Sequence, residues 1–118
     1  MRSYETYELK QEGKPLHIEA WIFCESKTSA DPRKPHYSGS KDFAHQVRFY
    51  ITKRSRVVLE CIQEYVDSEN KHFVSEHETL EDAVNELALF PVEIITSKVY
   101  NLVMDDMLDR ASSNQDDD

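Results

Sequence analysis

Glycine is nearly absent from this 118-residue chain, which has only Gly13 and Gly39. Walker-type and dinucleotide-binding loops use several glycines to let backbone amides approach phosphate, so both are excluded. No Gly-x-Ser-x-Gly nucleophile elbow is present either, and no catalytic residue is assigned. Cysteine is equally scarce. Cys24 and Cys61 both lie inside apolar segments, where a thiol packs as a small hydrophobe, and two cysteines make no secreted disulfide framework. The nearest approach to a metal motif is His72 to His77. If that stretch is extended, His72 and Glu76 share a face while His77 points to the other, so only two ligands converge. Long apolar runs are also missing. The longest, Ala20 to Cys24, falls far short of the ~20 residues of a membrane helix, and Met1 to Lys10 lacks the apolar core of a signal peptide. The expectation is a cytoplasmic protein with no metal, cofactor or membrane partner.

Six Tyr, five Phe and one Trp are too many bulky rings for a chain that never folds, although the mean hydropathy is only -0.68. A chain of this length buries roughly two-thirds of the surface its unfolded form exposes, enough for one core without staples. A single domain over residues 1–111 is expected, with a frayed acidic tail at 112–118.

Hydrophobic periodicity divides the domain into strands and then helices. Tyr4 to Leu9 alternates, Gly13 marks a turn, and Leu16, Ile18, Ala20, Ile22 and Cys24 recur at period two. The opposite face of that second strand carries His17, Glu19, Trp21 and Phe23, so its far end is apolar on both sides and needs cover. Residues 27–42 hold Pro32, Pro35 and Gly39 in a polar stretch without periodicity and read as a long loop, which is uncommon unless functional or mobile. Val47, Phe49 and Ile51 alternate in a third strand that ends at Lys53-Arg54-Ser55-Arg56. Residues 57–66 fit helical spacing, but their β-branched and aromatic content and the flanking polar turns favour a strand.

Thr79 can cap a helix whose stripe is Leu80, Ala83, Val84, Leu87 and Ala88, closed by Pro91. Ile95, Val99, Leu102, Val103, Met107 and Leu108 mark a second helix, with Thr96 or Ser97 as its cap. The resulting fold class is α+β: an antiparallel sheet of four to five strands over about residues 3–75, followed by helices at about 80–90 and 97–110 packed on one face.

The formal net charge of -9 hides an asymmetry. Before and including Arg56 there are 11 basic and 7 acidic residues; after it there are 3 and 16, so the halves carry +4 and -13. The basic residues Arg33, Lys34, Arg48, Lys53, Arg54 and Arg56 are the candidates for an anion or nucleic-acid site, with Tyr37 and His36 interleaved. Against this stands the overall negative charge, which opposes attraction to a polyanion. Glu81, Asp82, Glu86, Asp105, Asp106 and Asp109 form the candidate acidic surface. Trp21, Phe23, Met104, Met107 and Leu108 are the candidates for a partner or homodimer interface, because a monomer would have to leave some of them exposed. His17 with Glu19, and His45 with Asp42, can be written as acid–base pairs, but five His and 23 carboxylates offer such pairs by chance.

The reading these features favour is a non-enzymatic protein-binding module that occupies a partner's surface. Small acidic inhibitors, immunity proteins, chaperones and adaptors, including phage-encoded ones, have these traits. The alternatives are nucleic-acid or phosphate-ligand binding through residues 33–56, and a small enzyme of unassigned reaction.

Overall fold

A computed structural model describes residues 3–11, 13–90, 95 and 97–114. It shows a five-stranded antiparallel sheet followed by two C-terminal helices. The strands β1 (Glu5–Gln11), β2 (Lys14–Lys27), β3 (Phe43–Thr52), β4 (Val57–Tyr65) and β5 (Lys71–His77) lie in chain order. The helices are α1 (Leu80–Ala88) and α2 (Ser97–Asn114). Residues 57–65 are a strand: they pair with β3 along one side and β5 along the other, and tertiary pairing outweighs their helix-compatible spacing.

Both faces of the sheet are apolar at its centre. Alternation sends Val47, Phe49 and Ile51 of β3, and Val57, Leu59 and Cys61 of β4, towards the helices. There they meet Ala83 and Leu87 of α1, and Val99, Val103 and Met107 of α2 at four-residue spacing. Tyr50 and Val58 point the other way and join Leu9 and Ala20, with Tyr7, Ile18, Ile22 and Val74 packed around them. The sheet curls towards this second face, which we call concave. β2 is long enough to pair with β1 through residues 14–20 and with β3 through residues 20–27, and β1 is thereby carried alongside β5 without hydrogen-bonding to it.

The corner is made by a bulge. Register shifts between Ile22, opposite Tyr50, and Cys24, opposite Phe49. The even-numbered residues of β2 therefore face the concave side up to Ile22, whereas Cys24 joins Phe23 in the helix-side core. Uninterrupted alternation from Leu16 to Cys24 was the expectation; one extra residue in the strand reverses it and adds the local bend.

Residues 28–42 form the long loop, closed on itself by hydrogen bonds. The Ser29 amide donates to the His36 carbonyl and the Ser38 amide to the Ser29 carbonyl, while the buried Ser38 hydroxyl donates to the Phe43 carbonyl at 2.6 Å. The first helix starts where expected, with Thr79 Oγ1 accepting from the Asp82 amide at 3.1 Å. α2 continues to Asn114, past the expected end near 110, because no Gly or Pro interrupts Ala111 to Asn114. Thr96, Pro91 and residues 115–118 of the expected tail lie outside the described residues, as does the Lys98 side chain.

Candidate functional site

The basic candidates do not form one patch. Arg33 and Lys34 sit on the loop that precedes β3, and Lys53, Arg54 and Arg56 sit on the turn that follows it. The ten-residue β3, about 30 Å long, lies between the two groups. Most of these cations are already answered by carboxylates. The Arg33 guanidinium meets both oxygens of Asp31 at 3.1 and 3.2 Å, and with the Arg33 amide it holds the Asp31 carboxyl below its usual range. Lys53 Nζ lies 3.4 Å from Glu19 Oε2, and Arg56 pairs with Glu76 across the rim of the sheet. Lys34 and Arg54 are the exceptions, both exposed and without an ion pair among the described residues.

Arg48 stands apart on the concave face, in a row that crosses three strands. Glu25 of β2 lies directly opposite it on one side and Glu60 of β4 on the other. Arg48 Nε donates to Glu25, Arg48 Nη1 lies 3.6 Å from Glu60 Oε1, and Gln46 Nε2 adds a 3.3 Å hydrogen bond to Glu25. Tyr50 Oη donates to Glu60 at 2.7 Å and accepts from Arg48 Nη1 at 3.3 Å. The Tyr7 ring covers the Tyr50 ring at 5.1 Å.

Burial and the Glu60 carboxylate drive the Tyr50 pKa strongly upward. Burial alone would raise the Glu25 pKa too, but the Arg48 hydrogen bond outweighs it and the carboxyl titrates below its usual range. Burial opposes the Arg48 charge, and its hydrogen bonds to Glu25 and Tyr50 more than restore it. The network is thus a compensated set of charges, stabilised as a unit. Of its members only Arg48 was a candidate from the sequence. Alternation along β3 and β4 was the available signal for the facing of Tyr50 and Glu60, but the register that joins them to Glu25 is not encoded locally.

Of the proposed acid–base pairs, His17 and Glu19 line one groove at the sheet rim, whereas His45 and Asp42 are separated. His45 is buried on the helix side of β3, opposite Gln63, whereas Asp42 is exposed in the loop. In β5, His72 and Glu76 share the concave side and His77 lies on the other, with its Nε2 2.7 Å from Ser75 Oγ. Burial, reinforced by Glu60, pushes the Cys61 thiol up to about 12, so both free thiols are core groups.

Three of the five candidates for an apolar interface pack inside the chain. Trp21 and Phe23 touch edge to face at 5.9 Å, and Phe23, Met104 and Met107 belong to the core beneath the helices. Trp21 is half-buried, and Leu108 is 64% exposed. The acidic candidates have the opposite fate. Glu81, Asp82, Asp105 and Asp109 are exposed and Glu86 partly so, and among the described residues these five make no ion pair. Asp106 is turned inward, with one carboxylate oxygen buried.

No helix of the described residues is long and apolar enough to cross a membrane. No protein-family model, curated protein or solved structure matches this chain.

Proposed function

We propose that this chain is a non-enzymatic protein-binding module that acts by occupying the surface of a basic partner, with its helical layer turned towards that partner. One observation carries the reading: charge is segregated by layer. On the sheet and its loops Arg33, Arg48, Lys53 and Arg56 are each paired with a neighbouring carboxylate, whereas Glu81, Asp82, Glu86, Asp105 and Asp109 on the helices make no ion pair among the described residues. An uncompensated field of one sign steers an oppositely charged partner and raises its association rate. A homodimer has less to support it, since Phe23, Met104 and Met107 pack in the helix-side core, which leaves the half-buried Trp21 and the exposed Leu108.

The test begins with affinity capture from the native host and proceeds to kinetics on the purified pair. Neutralising the five acids (E81Q, D82N, E86Q, D105N and D109N) should slow association roughly tenfold at low salt and flatten its salt dependence, with little change in dissociation. A salt-insensitive association rate that the five substitutions leave unchanged would refute the electrostatic mechanism. Turnover of a substrate by the purified protein, abolished by mutation of one His or Cys, would refute the binding-module reading itself.

A further inference from the structure

At one rim of the curled sheet, the first half of β2, the β3–β4 turn and the end of β5 enclose a groove of about 510 Å³. Its polar lining is His17, Glu19, Lys53, Arg54, Arg56 and Glu76, together with Thr52. The three cations come from one four-residue turn, and that turn is rigidly tied. The Lys53 amide donates to the Glu19 carbonyl at 3.0 Å, the Thr52 amide to the Arg56 carbonyl at 2.8 Å, and the Arg56 amide to Thr52 Oγ1 at 3.0 Å. Ser55, at φ +62°, completes the turn in the left-handed region.

Three cations against Glu19 and Glu76 leave the groove one positive charge in excess, on a chain whose net charge is -9. Glu19 and Glu76 steady Lys53 and Arg56 from the side, and the Arg54 guanidinium makes no ion pair among the described residues. Arg56 spends its Nε–H on Glu76, and a guanidinium has five N–H donors, so further donors remain.

We propose that this groove binds a small phosphorylated molecule by its phosphomonoester group. Such a group carries about two negative charges and three acceptor oxygens, which match three neighbouring cationic heads better than the two oxygens of a carboxylate do. The volume lies within the range of small-molecule sites and admits the sugar or nucleoside that bears the phosphate. An extended nucleic acid fits less well. The loop cations Arg33 and Lys34 lie beyond the far end of the ten-residue β3, and the helical layer is acidic. The site is separate from the helical surface assigned to a protein partner, so either assignment can fail without the other.

Titration of the full chain with ribose 5-phosphate, followed by amide chemical shifts and calorimetry, tests the proposal. Saturable binding at millimolar or lower concentration is expected, with shifts confined to residues 17–19, 52–56 and 76. Arg54→Ser should weaken it about tenfold, the loss of one charge-assisted contact, whereas Glu76→Gln should strengthen it by removing a repelling carboxylate. The opposite signs separate a direct role from a loss of fold. No saturation, or shifts that Arg54→Ser leaves unchanged, would overturn the proposal. So would a single-stranded oligonucleotide without a terminal phosphate that bound the groove while the sugar phosphate did not. Inorganic phosphate should bind the same residues more weakly, because it lacks the body that fills the groove; equal or tighter binding would overturn the small-molecule assignment.

Discussion

The Tyr50 hydroxyl donates a 2.7 Å hydrogen bond to Glu60, and both residues are buried, Glu60 with 3% of its surface exposed. A carboxylate in that position is tolerated because two donors reach it, Tyr50 from within β3 and Arg48 from directly across the β3–β4 ladder. The same Arg48 answers Glu25 on the neighbouring strand, so one guanidinium compensates two carboxylates.

Removing either donor should therefore cost stability in a fixed order. Tyr50→Phe keeps the ring packing against Tyr7 and removes only the hydroxyl, for a loss of about 1–3 kcal/mol. Arg48→Met removes the guanidinium that both carboxylates share and should cost about 3 kcal/mol or more. Urea unfolding monitored by circular dichroism measures both, and an unchanged midpoint for Arg48→Met would show that the network contributes nothing.

Stability should fall at both ends of the pH scale, for separable reasons. The native Glu25 pKa lies below its ordinary 4.5, so its contribution is present above that value and is lost as pH falls through the native one. Arg48→Met should remove this part of the acid sensitivity. Cys61 is raised from 9.0 to about 12 and Tyr50 is raised from 10.0, so both stay protonated in the fold while the unfolded chain ionises. Their contribution is full below the unfolded values and is lost as pH climbs above 9. Cys61→Ala should move the alkaline onset upward by about one unit, to where Tyr50 begins to act; thermal unfolding between neutral and alkaline pH reads this directly.

Both thiols should be silent in the native state. Cys24 and Cys61 are buried in the helix-side core, so a thiol reagent at neutral pH should modify neither until denaturant unfolds the sheet. Fast modification of one equivalent in native buffer would show that α2 lifts from β2.

The first helix offers a local test. Thr79→Ala deletes the side-chain oxygen that accepts from the Asp82 amide and should cost about 1 kcal/mol. Thr79→Ser should retain most of the capping, and thermal denaturation of the pair separates the cap from packing. Leu87→Ala, in the buried stripe of the same helix, should cost about 2–5 kcal/mol through lost burial and the cavity left behind.

Local pattern made the elements legible. Alternation at Val47, Phe49 and Ile51, the polar turn at 53–56, and the Thr79 cap with its Leu80, Ala83 and Leu87 stripe each arise from contacts within a few residues, and each is read from neighbours alone. The same holds for Val57–Tyr65, where β-branched side chains and bounding turns prevailed over a chance helical spacing. The candidate surfaces were less legible, because side-chain accessibility depends on what lies above. Met107 shares the four-residue spacing of Val99 and Val103, but only packing decided that this stripe meets the chain's own sheet and leaves Met107 6% exposed.

Composition, charge asymmetry and periodicity by themselves determined the α+β order of elements, the antiparallel pairing of successive strands and the acidic character of the helices. Tertiary structure alone decided three things. The bulge between Ile22 and Cys24 turned β2 from one partner to the other and closed the curl. The register of β2, β3 and β4 then placed Glu25, Arg48 and Glu60 in one row, although 23 and 12 positions separate them along the chain. Finally, the length of β3 split the basic stretch in two, leaving one cluster on a loop tip and the other around a groove. Each depends on pairing between distant segments, and no local preference carries that information.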